Sequence, residues 1–220
     1  MKISVQQGEI QSVSADTLIV NLFDDVTSPS GATGAVDQAL GGAISELIAS
    51  GDLTGKAGEV GVLYPRGAIA AKRVLVVGLG KRSSFNLEGV RQAAANGIKQ
   101  AQKLKAKQVA TIVHGAGIGG LDVTAAAQAT VEGSLLATYR FAATKQEPEP
   151  PHAIDTLTIV EFDGGKVAAI ETGSVQAQAI AAGVAIARDL VNMPPNVATP
   201  TKLAETAVSI AHEYSLNITV

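Results

Sequence analysis

Six short runs of Val, Ile and Leu recur along the chain and alternate with longer amphipathic stretches. Several of these runs are apolar at nearly every position, which is typical of strands buried on both faces in the middle of a sheet. The runs predict β-strands at Lys2–Gln6, Thr17–Leu22, Val60–Tyr64, Arg73–Gly78, Val109–His114 and Thr156–Phe162.

The stretches between the strands repeat their apolar residues every three or four positions, as amphipathic helices do. One such face runs from Val36 to Ile48 and passes through Gly41–Gly42, where we expect either close packing or a kink. The predicted N-caps of three further helices are Asn86, Asp122 and Ser174. Alternating strands and helices predict an α/β fold in which a mainly parallel sheet carries helices on both faces.

A helical pattern over Ser174–Met193, expected to bury Ile180 and Val191, leads into two consecutive prolines, Pro194–Pro195. Proline cannot continue a helix, and it pushes the residue before it into an extended conformation. Thr199–Pro200 then has the form of an N-cap followed by proline in the first helical turn. The run predicts a helix, an extended elbow and a second helix, as at a joint between two domains.

This pattern divides the chain into a first domain at residues 1–165, a linker helix at 166–193 and the start of a second domain at 194–220. We expect the remainder of the second domain to follow Val220. The proline-rich segment Thr144–Pro151 is expected to be an extended, exposed loop within the first domain.

Composition narrows the classes of function. The chain has 220 residues, of which 46% are apolar, and it contains no Cys, which excludes disulfides and thiol catalysis. The 17 basic and 20 acidic residues are spread along the chain, which argues against DNA or an anionic membrane as a partner. No stretch approaches the ~20 apolar residues needed to span a bilayer, and no signal region opens the chain, so we expect a cytoplasmic protein.

Three segments carry a resemblance to a known family. They are Arg188–Asn196 (Arg-Asp-Leu-Val-Asn-Met-Pro-Pro-Asn) with Thr199–Pro200, Val76–Lys81, and Glu132–Phe141. Together they resemble the leucyl (cytosol) aminopeptidases, in which the first segment opens the catalytic domain. The resemblance implies a three-layer, macro-domain-like N-terminal domain that a linker helix joins to a metallopeptidase domain.

The same resemblance implies a function for the full-length enzyme. Such enzymes remove N-terminal residues, preferably bulky apolar ones, from peptides, and they assemble as homo-hexamers. Two divalent metal ions, zinc or manganese, polarise the carbonyl and lower the pKa of a bridging water. By this resemblance, the present chain is expected to be structural, shaping the assembly and access to the active sites, and inactive by itself.

No catalytic, cofactor-binding or metal-ligating residue is assigned in this chain. The family's metal motifs resemble Val-Gly-Lys-Gly…Phe-Asp-Ser-Gly-Gly and Asn-Thr-Asp-Ala-Glu-Gly-Arg, and neither is in the sequence. Val77–Lys81 lacks the lysine between its glycines, and Phe162–Gly165 lacks the serine and predicts a turn in which glycine supplies a positive φ. The three histidines, which have no ligand spacing, are His114, His152 and His212. We therefore expect both metal ions to bind after Val220.

One glycine-rich loop supports an alternative function. Gly115–Gly120 follows a buried strand and precedes the helix capped by Asp122, so its backbone N–H groups are suited to contact an anion. The alternative is a macro-like module that binds ADP-ribose or another nucleotide at this loop. The negative charge of Asp122 at the same helix end argues against an anion, and a tight turn is the simpler interpretation. Gly31–Gly34 is a second, weaker loop that predicts a flexible helix entry.

Overall fold

The structure, a computed structural model, describes residues 1–117, 119–141 and 152–219. Its strands are β1 (Lys2–Gln7), β2 (Thr17–Phe23), β3 (Val60–Leu63), β4 (Arg73–Gly80), β5 (Gln108–Thr111) and β6 (Thr156–Glu161). Its helices are α1 (Gly31–Ala39), α2 (Ala43–Ser50), α3 (Leu87–Lys103), α4 (Val123–Ala137), α5 (Val167–Asn192) and α6 (Pro200–Glu213). All six predicted strands are present, although β5 ends at Thr111, three residues before the predicted end at His114.

The strands form one sheet in the order β1-β6-β5-β2-β4-β3. Every pairing is parallel except that of the edge strand β3, which runs antiparallel to β4. The prediction of a mainly parallel sheet is therefore confirmed. Because β2 pairs with both β4 and β5, it lies inside the sheet, and this position explains why its sequence is apolar on both faces.

Helices cover both faces of the sheet, which confirms the three-layer arrangement. Alternate residues of β2 face opposite sides, so Ile19 and Leu18 belong to different cores. The core beneath α3, α4 and α5 includes Ile19, Leu75, Ile98, Val131, Leu157 and Ile170. The core beneath α1 and α2 includes Leu18, Val20, Val36, Ile44, Leu53 and Val76.

Glycines allow α3, α4 and α5, which cover the same face of the sheet, to pack closely together. A Cβ at Gly133 of α4 would strike the carbonyl oxygen of Arg91 in α3, and one at Gly173 of α5 would strike that of Thr124 in α4. Between α3 and α4, Arg91 Nε also donates a 2.6 Å hydrogen bond to the buried carboxylate of Glu132. The layer is therefore fixed by backbone contact and by one partly buried ion pair.

The apolar face from Val36 to Ile48 belongs to two helices, so the prediction of one helix there is wrong. Gly41 and Gly42 have φ angles of 67° and 91°, which are left-handed conformations that end α1 before α2 begins. A Cβ at either glycine would meet nothing within 4 Å, so close packing does not explain them. Asp37 caps the new helix by accepting from the backbone N–H of Ile44 at 2.7 Å.

Two of the three predicted N-caps in the interior of the chain are confirmed. Asn86 accepts from the backbone N–H groups of Glu88 and Gly89, and Asp122 accepts from that of Ala125. Ser174 is wrong as a cap, because α5 begins at Val167 and Ser174 lies within it. Its hydroxyl instead donates to the carbonyl oxygen of Ile170 one turn earlier, an alternative use of serine inside a helix.

The outer half of α5 is less buried than its pattern predicts. Ala177 and Ala181 are buried, whereas Ile180 is 44% exposed and Val191 is 85% exposed. The apolar pattern of α5 is therefore satisfied against the sheet only in its first half, up to about Ala181.

The elbow after α5 begins extended but then closes into a turn, in which the Val197 and Ala198 N–H groups donate to the Pro194 carbonyl oxygen at 2.8 and 2.9 Å. The prediction of an extended elbow is therefore wrong between Pro194 and Ala198. Met193 is extended, with φ −68° and ψ 138°, and the Thr199 hydroxyl caps α6 by accepting from the Lys202 N–H. In α6, which begins at Pro200, Ala211 is the buried residue. The proposed domain division stays a prediction, and the predicted loop Thr144–Pro151 and Val220 lie outside the described residues.

Candidate functional site

The carboxyl ends of four parallel strands meet at one edge of the sheet, and a cavity of about 470 Å³ opens there. Its wall includes Gly8 after β1, Asn21 of β2, Ile112 after β5 and Phe162 after β6. In open α/β sheets, ligands bind in the crevice outside the carboxyl ends of the strands. This cavity is therefore the candidate site.

The glycine-rich loop Gly115–Gly120 forms part of the cavity wall and is also a tight turn. Gly115 and Gly120 have φ angles of 81° and 67°, and the Leu121 N–H returns to the Gly115 carbonyl oxygen at 3.2 Å. A Cβ at Gly115 would press against the ring of Phe85. Gly115, Ala116, Gly117 and Gly119 line the cavity, while Ile118 lies outside the described residues. Ligand binding by this loop stays a prediction.

The helix that follows this loop uses its own carboxylate at its N-terminus. Asp122 Oδ1 accepts from the Ala125 N–H at 2.9 Å, so a negative charge already occupies the N-cap of α4. An anion at that helix end would meet the carboxylate as well as the helix dipole. The geometry thus supports the sequence argument against an anion at α4.

His114 is buried beneath the cavity and is held by neutral partners. Its Nδ1 lies 3.0 Å from Asn21 Nδ2, its Nε2 lies 3.5 Å from Thr111 Oγ1, and its backbone N–H donates to Thr130 Oγ1 at 3.3 Å. Because the amide of Asn21 donates to Nδ1, the proton of the neutral ring sits on Nε2. Burial lowers the pKa of His114 from its ordinary value of 6.5 to about 4. The residue is a neutral structural element that orients Asn21 on the cavity wall.

The remaining histidines do not join it. His152 is half-buried and His212 is exposed on α6. Within residues 1–117, 119–141 and 152–219, no group of three or more His, Asp or Glu side chains is arranged to hold a metal ion.

The two segments that partly match the metal motifs have structural roles. Gly78 and Gly80 of β4 lie against the loop that carries Lys56 and Ala57, where a Cβ would collide. Asp163 starts a 3-10 turn and accepts from the Gly165 N–H at 2.9 Å, which confirms the predicted turn. Neither glycine of that turn has a positive φ, so this part of the prediction is wrong. The turn closes as 3-10 helix, which needs only right-handed backbone.

The resemblance segment around Asp189 contacts the end of α4. Tyr139 Oη donates to Asp189 Oδ1 at 2.8 Å, and the guanidinium of Arg188 lies 5.3 Å from the centre of the Tyr139 ring. Desolvation and the hydrogen bond to Asp189 raise the pKa of Tyr139. These contacts attach the outer half of α5 to the segment that follows α4.

The model of the cytosol aminopeptidase family, N-terminal domain, matches residues 19–148. The chain belongs to this family. A probable cytosol aminopeptidase from Roseiflexus castenholzii is 37% identical over 223 residues, which cover 100% of this chain and 42% of that protein. The chain thus spans about two fifths of the length of the curated cytosol aminopeptidases that it matches.

Three solved structures share the fold of this aminopeptidase-family chain. A mutant of tomato leucine aminopeptidase has a TM-score of 0.80 and 24% identity over 98% of this chain and 43% of its own. The manganese complex of the bottromycin maturation enzyme BotP has a TM-score of 0.69 and 22% identity, over 92% of this chain and 37% of its own. A Trypanosoma brucei macrodomain in complex with ADP has a TM-score of 0.61 and 15% identity, over 78% of this chain and 68% of its own. The macro-domain-like fold expected from the resemblance is confirmed.

Sequence reasoning identified the glycine loop but missed the cavity as a whole. The cavity combines residues from four strand ends that are far apart in sequence, and residues such as Gly8 and Ile112 belong to no local motif. The carboxyl-edge rule would have found it once the strand order was known. Among the described helices, none has the length and apolar character required to cross a membrane.

Proposed function

We propose that the chain is the N-terminal, non-catalytic portion of a cytosolic aminopeptidase. The full-length enzyme would remove N-terminal residues, preferably bulky apolar ones, from peptides with two divalent metal ions, zinc or manganese. The family match over residues 19–148 carries this proposal. The 42% share of the Roseiflexus protein supports placing the metal site in the part of the enzyme that this chain does not cover.

Within that enzyme, we assign the chain a structural role in assembly and in access to the active sites. Exposed apolar side chains on the outer half of α5, on the elbow and on α6 support this role, because such surface is usually covered by another domain or subunit. Examples are Val191 at 85%, Leu203 at 49% and Val208 at 46% exposure. A homo-hexamer is the assembly that the family resemblance implies.

The division into residues 1–165, 166–193 and 194–220 belongs to the same proposal. The exposed second half of α5 and the extended Met193 support a linker there. The first half of α5 contributes Ile170 and Ala177 to the core of the first domain, so the linker begins on helix that is already packed.

Hydrolysis of leucine p-nitroanilide tests the assignment. The 220-residue chain and a version extended through the family's metal motifs would be assayed with added manganese or zinc, each with and without a chelator. We expect turnover in the extended protein, its loss with chelator, and none in the 220-residue chain. Chelator-sensitive turnover by the 220-residue chain would contradict the proposal.

The alternative module for ADP-ribose or another nucleotide is supported by the cavity and opposed by nearby carboxylates, among them that of Asp122 at the N-terminus of α4. The cavity at the carboxyl edge is the place where the fold would hold such a ligand. Its wall carries the carboxylates of Glu9 and Glu161, which oppose a diphosphate. Calorimetric titration with ADP-ribose tests this alternative directly.

A further inference from the structure

The helix α5 contains one glycine that packing against the described residues does not explain. A Cβ at Gly133 or Gly173 would strike the backbone of a neighbouring helix, and one at Gly97 would press against two side chains of the sheet. A Cβ at Gly183 would meet nothing within 4 Å. Glycine in the interior of a helix weakens it relative to alanine, because its backbone loses more conformational freedom. Gly183 therefore makes α5 easier to bend at a position where no close contact in the structure requires glycine.

Gly183 lies where α5 leaves the core of the sheet. Ala181, two residues earlier, is the last buried residue of the helix. Among the described residues, no side chain from 184 to 192 belongs to either hydrophobic core. Hinges are positions near the ends of packed elements that absorb a change in backbone angles. A packed inner half and an outer half outside the core, which meet at a flexible residue, are the arrangement that a hinge requires.

The outer half of α5 is held beyond this glycine by polar contacts, which we call the Tyr139 latch (Tyr139 with Arg188, Asp189 and Asn192). Tyr139 Oη donates to Asp189 Oδ1 at 2.8 Å and accepts from Asn192 Nδ2 at 3.4 Å. The guanidinium of Arg188 lies 5.3 Å from the centre of the Tyr139 ring, within the range of a cation–π contact. Asn192 Nδ2 also donates to the Arg188 carbonyl oxygen at 2.7 Å, which keeps its amide beside the tyrosine. The contacts converge on one side chain in the segment that follows α4.

The Tyr139 latch is of a kind that can open without disturbing a core. Tyr139 and Asp189 are half-buried, and Arg188 and Asn192 are exposed. Because water can replace either partner of an accessible hydrogen bond, such contacts contribute little net free energy and open locally. The inner half of α5, by contrast, is packed in the core, where Ile170 is fully buried. Opening the latch therefore releases the outer half alone.

We propose that Gly183 is a hinge in α5 and that the Tyr139 latch holds it closed. With the latch formed, α5 is one continuous helix. With the latch open, the helix bends at Gly183, and residues 184–192 swing away from the segment after α4. A kink of about 20° over the ~12 Å of helix from Gly183 to Val191 moves Val191 by about 4 Å. In the proposed full-length enzyme, on which this consequence rests, the swing would reorient the catalytic domain relative to the sheet.

Two spin labels measure the swing in the 220-residue chain. The chain contains no Cys, so Lys99→Cys in α3 and Val191→Cys in α5 create two unique labelling sites, both at exposed positions. Double electron–electron resonance then gives the distribution of distances between α3 and the outer half of α5. We expect one narrow distribution in the labelled chain. Adding Tyr139→Phe, which removes the hydroxyl and keeps the ring, should broaden or shift the distribution by about 4 Å.

Hydrogen exchange locates the bend. The amides of residues 184–187 donate to the carbonyl oxygens of residues 180–183, so their hydrogen bonds cross the hinge. Tyr139→Phe should speed the exchange of these four amides about tenfold, because the lost hydrogen bond no longer opposes the bend. The amides of residues 170–177 should exchange as before. Asp189→Asn keeps an acceptor oxygen and should have a smaller effect than Asp189→Ala.

Two further variants make the result specific. Gly183→Ala stiffens the helix and meets open space, so adding it to Tyr139→Phe should narrow the distance distribution and slow the exchange again. Tyr214→Phe, an exposed tyrosine at the end of α6, is the matched control and should behave like the wild type. Unchanged distances and exchange in Tyr139→Phe, faster exchange spread evenly over residues 184–192, or no effect of Gly183→Ala in that background would each overturn the proposal. Neither measurement depends on catalysis, so a failure of the aminopeptidase assignment would leave this result unchanged.

Discussion

Acid should destabilise the fold through His114 more than through any exposed histidine. The pKa of His114 is about 4 in the folded chain and near 6.5 when unfolded, because burial disfavours the imidazolium. Between these values the unfolded chain binds the proton first, so stability falls as the pH drops through 6.5 and the loss is complete below about pH 4. A shift of this size corresponds to about 3 kcal/mol in full, and to about 2 kcal/mol between pH 7 and pH 5.

The measurement is urea denaturation of the wild type, His114→Gln and His212→Gln at several values between pH 7 and pH 5. Other groups titrate in this range, so the quantity that matters is the difference between the variants in how stability depends on pH. His114→Gln should remove about 2 kcal/mol of the loss, whereas His212→Gln, on the exposed side of α6, should behave like the wild type. Equal pH dependence in all three proteins would show that His114 does not remain neutral when folded.

Three further predictions concern packing and charge in the helical layer. Gly173→Ala should destabilise the chain by about 1–3 kcal/mol, because the added methyl group overpacks α5 against α4. Gly183→Ala in the same helix meets open space and should be neutral or stabilising by up to about 1 kcal/mol. Thermal unfolding of the two variants measures the difference. Arg91→Ala should cost about 1–3 kcal/mol, because the buried Glu132 carboxylate then keeps the hydrogen bond from Gln128 but loses its cationic partner. Adding Glu132→Gln should recover part of that loss, and no recovery would contradict the ion-pair argument. Asn86→Ala should cost about 1 kcal/mol, and unchanged stability would mean that the two hydrogen bonds of this cap are replaced by water.

The strands could be predicted from sequence because their short runs are rich in Val, Ile and Leu and are apolar at nearly every position, as in strands buried on both faces. β2 is buried on both faces and has no helical period, so its pattern has one interpretation. The caps at Asn86 and Asp122 were equally legible, since each polar residue stands just before an apolar repeat.

The errors come from positions where a local pattern fits two structures. The residues on either side of Gly41–Gly42 face the same core, so a break between α1 and α2 leaves the apolar repeat intact. Ser174 suits both a cap and the interior of a helix, where its hydroxyl can bond one turn back, and burial against α4 decided between them. The cavity depends on strand order, which sequence periodicity does not contain.

Because α5 is long, a small change in its packing moves its C-terminal end. Its inner half is pressed against α4 at Gly173, and about 16 Å of helix extends from Ala181 to Asn192. A tilt of a few degrees at Ala181 would displace the C-terminal end of α5 by about 1 Å, and in the proposed full-length enzyme a shift of that size would disturb a catalytic site attached there. The Tyr139–Asp189 hydrogen bond holds α5 in place near its C-terminal end. The small side chains where α5 packs against α4 therefore determine the direction in which the chain leaves α5.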